Sequence, residues 1–180
     1  MIRTKILRKA ILPLATACIA LLAGAAAAQE DEEYKPEIPD TAIYKAMLDA
    51  NKTTGWVQFR NFSGRQLIYF TALQTTHCRL SEIRYSINSD GLDQRFPVAP
   101  CDPQLPFNLP DDTTNASLLI ERKPGEARTI AVQVVWEDGS GSEIVVYKPC
   151  DNAEATCARI KTIKKPAQPM GEPAPTSAAR

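Results

Sequence analysis

The sequence predicts a mainly β domain in which two antiparallel sheets pack as a sandwich. About seven short stretches of β-strand character follow one another within about 120 residues, turn residues separate them, and no helices are interleaved. A small closed barrel accepts the same strands and is the alternative architecture. The chain has 180 residues, of which 44% are hydrophobic and 23% charged, as is ordinary for one globular domain.

One short helix is predicted before the strands, over residues 41–50. Its apolar side chains recur at i,i+4 spacing: Ile43 with Met47, and Tyr44 with Leu48. Asp40 or Thr41 is able to cap its first free N–H groups. Since a helix of this length is not stable alone in water, we expect it to pack against the strands.

The predicted strands are residues 56–62, 66–75, 80–87, 93–98, 117–121, 129–137 and 143–148. Apolar and polar residues alternate most clearly in 80–87. The stretch 66–75 is apolar on both faces, which is typical of a central strand. Residues 138–141, Asp-Gly-Ser-Gly, predict a hairpin between the last two strands.

The closing hairpin, residues 130–147, resembles the last two strands of fibronectin-type and other bacterial immunoglobulin-like modules. The resemblance covers about 20 residues and is one of architecture. It implies that the sandwich is of immunoglobulin-like type.

The first 28 residues predict a cleaved signal peptide. Four basic residues within 3–9 precede an apolar stretch over 10–23, and alanines then supply a small-residue cleavage pattern that ends at Ala28. A basic start and an all-alanine cleavage site are typical of bacteria, so we expect a periplasmic or extracellular protein. The alternatives are lipidation at Cys18 and a retained anchor, for which the apolar stretch is short.

The two ends of the mature chain differ in composition from its middle. Residues 29–40 predict an acidic disordered leader, and residues 161–180 a disordered tail rich in Pro and Ala. A single β-rich domain is predicted between them, over 41–160. Cleavage leaves 17 basic against 21 acidic residues, a net charge of −4.

Four cysteines remain after cleavage, and an even number in an exported chain predicts two disulfides. Three pairings are possible, and we favour the sequence-local one, Cys78–Cys101 and Cys150–Cys157. The closed loops would stabilise the fold by about 3 and about 2.5 kcal/mol. Five prolines within residues 97–110 predict a long, stiff loop beside Cys101.

Catalytic chemistry has little support in the sequence. His77 is the only histidine, it adjoins Cys78, and no nucleophile motif such as Gly-x-Ser-x-Gly accompanies it. We therefore expect a structural histidine beside a disulfide, with no catalytic residue. One imidazole is too few for a zinc site once the cysteines are oxidised, and we expect no cofactor or metal.

Carboxylates leave one enzymatic alternative open. The adjacent acidic pairs of the domain are Asp111-Asp112 and Glu137-Asp138. Glycoside hydrolysis needs two carboxylates about 5 to 9.5 Å apart across a cleft, an arrangement that only the fold creates. Calcium binding by Glu137, Asp138 and Glu143 lacks the D-x-D-x-D-G loop. A small secreted hydrolase is therefore the alternative function.

Arginines and aromatic residues also accompany the predicted strands: Arg60, Arg65, Arg79, Arg84 and Arg95, with Trp56, Tyr69 and Tyr85. Gathered on one face, such a set would suit nucleic acid. Arg84 and Tyr85 point to opposite sides of their strand, however, and the mature chain is acidic, so we expect no nucleic-acid binding. The sequence instead predicts an exported, non-catalytic module without a stable membrane span after cleavage. It would bind a protein or an envelope polymer through loops or a sheet face.

Overall fold

A computed structural model describes residues 36–151 and 155–165. The predicted signal peptide, residues 29–35 of the predicted leader and residues 166–180 of the predicted tail lie outside this part. Within it the helices are α1 (Thr41–Asn51) and α2 (Thr71–Gln74). The strands are β1 (Gln58–Phe62), β2 (Arg65–Tyr69), β3 (Leu80–Ile87), β4 (Gln94–Phe96), β5 (Leu119–Arg122), β6 (Ile130–Trp136), β7 (Ile144–Pro149) and β8 (Ala158–Lys164).

The strands form two antiparallel sheets. The three-stranded sheet has the order β1-β2-β5, and the five-stranded sheet has the order β4-β3-β6-β7-β8. Over the described residues neither sheet closes on itself, so the closed-barrel alternative is wrong. The fold is mainly β with two antiparallel sheets and few helices, as the sequence predicts.

The core lies between the two sheets, because each sheet contributes alternate side chains to one cluster. Phe59 and Ile68 come from the three-stranded sheet, and Ile83 and Val132 from the five-stranded sheet. An aromatic group is at its centre, where the ring of Phe70 stacks on that of Phe96 with 3.9 Å between centroids. Helix α1 adds Tyr44 and Leu48, and the Asp40 carboxylate caps it by accepting from the Ala42 N–H (2.7 Å).

Both disulfides have the predicted sequence-local pairing. Cys78–Cys101 joins the start of β3 to the proline-rich loop, with 4.7 Å between Cα atoms. Cys150–Cys157 closes the connection between β7 and β8, with 5.8 Å between Cα atoms. These cross-links indicate a non-reducing environment. In the part of the chain that the structure covers, no helix has the length and apolarity needed to span a membrane.

The predicted strand 66–75 is wrong beyond Tyr69, because the chain turns there into α2. This turn buries the Gln74 side chain completely. The Gln74 amide forms three hydrogen bonds with main-chain groups at the two ends of the proline-rich loop: Nε2 donates to Pro97 O (2.6 Å) and Ser117 O (2.9 Å), and Oε1 accepts from Ala99 N–H (3.1 Å). A strand continuing through residue 75 would lose these bonds and leave main-chain groups of the loop unpaired.

The ordered domain extends past both predicted boundaries of 41 and 160. At the start, the Arg79 guanidinium donates to Ile38 O and Pro39 O, each at 2.8 Å, so the end of the predicted leader is held by the fold. At the other end, β8 continues to Lys164 by pairing with β7, and Ile160 packs against the core. Strand β8 was not predicted, because lysines separate its few apolar residues and no apolar stretch marks it.

Candidate functional site

The face of the three-stranded sheet that points away from the core is the candidate site. Phe59, Ile68 and Ile120 pack on the core side, so their neighbours along each strand point outward. The strand register arranges the outward side chains in rows across β1, β2 and β5: Gln58–Tyr69–Leu119, Arg60–Leu67–Glu121, and Phe62–Arg65. We call these eight residues the open face.

A two-residue hairpin turn sets the geometry of one end of the open face. Ser63 and Gly64 connect β1 to β2 with φ angles of 51° and 73°. Positive φ at both positions gives a turn whose twist matches that of the strands, which places Phe62 opposite Arg65. The Ser-Gly pair in the sequence is a signal of this turn that the sequence analysis did not use.

Aromatic and cationic groups are exposed together on the open face. Phe62 is 56% exposed, and it has the largest exposed fraction among the exposed large hydrophobic residues of the described chain. The Arg60 guanidinium lies over its ring, with Cζ 4.9 Å from the centroid. Arg65 forms an ion pair with Glu121 across the sheet at 2.6 Å. Leu67 lies between Arg60 and Glu121 in its row and is only 8% exposed, because the longer side chains around it shield it from water.

The charge of Arg60 is not neutralised by the described residues. Of the eight arginines in residues 36–151 and 155–165, six form ion pairs, and the other two are Arg60 and Arg128. Arg128 is exposed, whereas Arg60 is partly buried. The open face therefore carries a cation that is held in place by an aromatic ring.

A cleft of about 460 Å³ adjoins Arg60 at the other end of the open face. It is lined by Trp56, Gln58, Arg60, Tyr69, Thr71, Ala72 and Thr156. The Trp56 wall is fixed, because its Nε1–H donates to Leu48 O (2.8 Å) and its main-chain N–H donates to the Tyr147 hydroxyl (3.2 Å). Burial raises the pKa of Tyr147, which keeps the hydroxyl protonated and able to donate to Lys52 O (2.8 Å).

A second cleft, of about 330 Å³, lies between α1 and the β6–β7 connection and differs in its charges. Lys52 forms ion pairs with Asp49 and Glu143 there, each at 2.7 Å. Hydrogen bonds with Asp49 and then Glu143 raise the pKa of Lys52. Because the polar groups of this cleft satisfy one another, a ligand would have to break existing ion pairs to bind them.

His77 is buried beside the first disulfide. It is 2% exposed, and its Nδ1 lies 2.6 Å from Gln74 O, which only accepts, so Nδ1 carries the proton. Its Nε2 lies 3.5 Å from Cys78 Sγ. In the described ranges, His77, Cys78 and Cys101 form the one group of three potential metal ligands. The two sulfur atoms are joined in a disulfide and are not thiolates.

The carboxylates that the sequence analysis considered differ in their surroundings. Three of them have a cationic partner: Glu137 pairs with Arg79, Asp138 with Lys45, and Glu143 with Lys52. Asp111 and Asp112 are exposed on the proline-rich loop. Glu143 lines the cleft beside α1, as does Lys45, the partner of Asp138, whereas the cleft beside Arg60 is lined by no described carboxylate.

The arginine and aromatic set of the sequence analysis is divided between the two sheets. Arg60, Arg65 and Tyr69 share the open face, whereas Arg84 and Arg95 surround Glu82 on the five-stranded sheet. The sequence-based interpretation rejected the set as a nucleic-acid face, because Arg84 and Tyr85 point to opposite sides of their strand and the mature chain is acidic. The signal was present in β1 and β2, but only the pairing of these strands with β5 shows which residues share a face.

The fold and site define a mainly β, doubly disulfide-linked domain with an uncovered outer face on its smaller sheet. No protein-family model matches the chain, and neither a curated protein nor a solved structure matches it.

Proposed function

We propose that this protein is an exported, non-catalytic module of immunoglobulin-like sandwich type. It binds a protein or an envelope polymer on the open face of its three-stranded sheet. It works in the periplasm or outside the cell.

The strand order supports the immunoglobulin-like type. In that architecture strands A, B and E share one sheet, and strands C′, C, F and G form the other. When β1 to β7 are lettered A, B, C, C′, E, F and G, the observed orders β1-β2-β5 and β4-β3-β6-β7 agree with it. The eighth strand extends the second sheet beyond the G position.

The observation that carries the binding proposal is the exposure of Phe62 beneath Arg60 on an otherwise ordered sheet. Aromatic residues and arginine are enriched at the centres of protein interfaces, where burial of the ring and pairing of the guanidinium contribute together. A 56% exposed ring at the end of this face leaves apolar area in contact with water, and a bound partner would cover it.

Export is supported by two independent features. The predicted signal peptide directs the chain out of the cytoplasm, and the two disulfides are typical of proteins that fold in an oxidising compartment.

The test is a cross-linked pull-down from the native envelope fraction, in which both protein and carbohydrate are assayed. Phe62→Ser is compared with Ile43→Ser, because Ile43 on α1 is 50% exposed and lies outside the open face. We expect Phe62→Ser to reduce the captured material at least about tenfold and Ile43→Ser to leave it unchanged. Equal capture by the two variants would place binding elsewhere.

Turnover of a glycoside, ester or peptide substrate that one Asp or Glu replacement abolishes would establish the hydrolase alternative.

A further inference from the structure

We infer that the open face recognises an acidic segment of a partner polypeptide, and that the Arg60 guanidinium receives a carboxylate of that segment. This inference rests on the proposed function and narrows it to one chemical class of ligand.

The first step is the charge of Arg60. Its guanidinium forms no ion pair with any described residue, whereas the neighbouring Arg65 is neutralised by Glu121 at 2.6 Å. A partly buried arginine with free N–H groups binds a carboxylate more strongly than a fully exposed one, because water screens the pair less. Arg60 is therefore the position on the open face that most favours an anion.

The second step is the orientation of that charge. Phe62 supports the guanidinium by its ring, at 4.9 Å from Cζ to the centroid. A guanidinium that stacks on an aromatic ring keeps its N–H groups free along its edge, where a carboxylate can accept two parallel hydrogen bonds. Because the contact with Phe62 already restricts the Arg60 side chain, binding of a carboxylate costs less conformational entropy.

The surface around Arg60 favours a peptide over a saccharide as the ligand. Sugar rings bind proteins by stacking on exposed aromatic faces, but one face of Phe62 is occupied by Arg60. The remaining surface includes the partly buried side chains of Tyr69 and Leu119, which suit apolar side chains, while Leu67 is buried beneath its longer neighbours. An acidic residue flanked by apolar residues fits both the cation and this surface.

The net charge of −4 predicted for the mature chain does not oppose this assignment. At physiological ionic strength the Debye length is about 8 Å, so charges on distant parts of the surface are largely screened at Arg60. The acidic pair at Asp111 and Asp112 lies on the proline-rich loop and not on the open face.

The experiment uses ¹⁵N-labelled protein that is expressed with its predicted signal peptide and purified from the exported fraction. This protein is titrated with two blocked peptides, Ac-Leu-Glu-Leu-NH₂ and Ac-Leu-Gln-Leu-NH₂. Trigalacturonate is the third probe. We expect the Glu peptide to bind at least about tenfold more tightly than the Gln peptide and to shift the amides of Gln58, Arg60 and Tyr69. Arg60→Gln should abolish the difference between the peptides. Arg128→Gln removes the other arginine without an ion pair in the described chain and should preserve it.

Three results would overturn the inference: equal binding of the two peptides, tighter binding of trigalacturonate than of the Glu peptide, or no shift on the open face with any probe. If any of these occurs while Phe62→Ser still reduces capture in the pull-down, the open face binds a partner and only the acidic-segment assignment fails. If capture does not depend on Phe62, the proposed function fails whatever the peptides show.

Discussion

The two sheets of this protein treat their outer faces differently. On the five-stranded sheet the outward side chains of Ser86 and Ala131 are fully buried, and that of Val146 is 4% exposed. On the three-stranded sheet the outward Phe62 is 56% exposed. Within the described residues, the chain therefore buries this row of the first face and leaves Phe62 on the second face exposed.

The covering segment is the loop between β3 and β4. The Ser86 hydroxyl donates to Ser89 O (2.6 Å), and Asp90 of the same loop forms an ion pair with Lys164 on β8. Since β6 and β7 separate β3 from β8 in the sheet, the loop reaches across their outer side. The row Ser86–Ala131–Val146, which runs across β3, β6 and β7, consists of small side chains that fit beneath it.

This difference shows how the same strand alternation leads to two outcomes. Where the outward residues are small, a loop can pack on them and the face contributes to stability. Where the outward residues include Phe, Tyr, Leu and Arg, apolar and charged groups of the face remain exposed to solvent. Such area is typical of a surface whose partner is another molecule.

The largest expected effect concerns the disulfide that joins the start of β3 to the proline-rich loop. The double replacement Cys78→Ser with Cys101→Ser should lower the free energy of unfolding by about 3 kcal/mol, because a closed loop with a sequence separation of 23 is opened. Urea denaturation measures this. The matched double replacement at Cys150 and Cys157 opens a loop with a separation of 7 and should cost about 2.5 kcal/mol. A larger loss at the second disulfide would contradict the loop-entropy explanation.

The second prediction concerns Gly55, which lies in the connection between α1 and β1. Its φ is +108°, and a Cβ there would lie 2.7 Å from Val57 O and 3.4 Å from the Ala158 Cβ. Gly55→Ala should therefore cost about 2 kcal/mol, from the left-handed backbone and the close approach together. Gly64→Ala is the control, since Gly64 also has positive φ but no atom within 4 Å of the added Cβ. It should cost about 1 kcal/mol. Equal losses in thermal unfolding would show that the contact with Val57 is unimportant.

The contrast between the faces is tested directly by one replacement on each. Ala131→Leu adds volume beneath the β3–β4 loop and should cost about 2 kcal/mol, as is usual for overpacking. Phe62→Ser on the open face should change stability by less than about 0.5 kcal/mol while reducing partner binding. Urea midpoints measure both changes. A loss from Phe62→Ser as large as that from Ala131→Leu would mean that the open face stabilises the fold.

The sequence predicted local features well and long-range ones poorly. Strand β3 has the predicted bounds, since apolar and polar residues alternate regularly from Glu82 to Ile87, and both disulfides follow from short separations. The turn after Tyr69 was missed because it depends on hydrogen bonds from Gln74 to residues more than 20 positions away. Three of the eight residues of the open face, Arg60, Arg65 and Tyr69, were noted from the sequence. Which residues share a face depends on the pairing of β2 with β5, which no local pattern encodes.

The smallest expected effect is a pH dependence on the covered sheet. Glu82 accepts from Arg84 Nε (2.7 Å) and also pairs with Arg95 Nε (2.9 Å). Hydrogen bonding with Arg84 is the main cause that lowers the pKa of Glu82 below its ordinary value of 4.5. A carboxyl group whose pKa is lower in the folded state stabilises the fold above its unfolded pKa, and this contribution disappears as the pH falls through the folded pKa. Glu82→Gln should therefore make the free energy of unfolding less dependent on pH in the acidic range.

The same ion pairs provide a sharper measurement than stability. In a carboxyl ¹³C titration of the folded protein, we expect the Glu82 midpoint below 4.5. Arg84→Gln should raise that midpoint more than Arg95→Gln, because Arg84 contributes the larger share of the effect and Arg95 is 51% exposed and better screened by water. A Glu82 midpoint at or above 4.5, or a larger rise from Arg95→Gln, would show that these arginines do not hold Glu82 in solution. The outward side of β3 would then depend on the β3–β4 loop, which its packing and the Asp90–Lys164 ion pair hold in place.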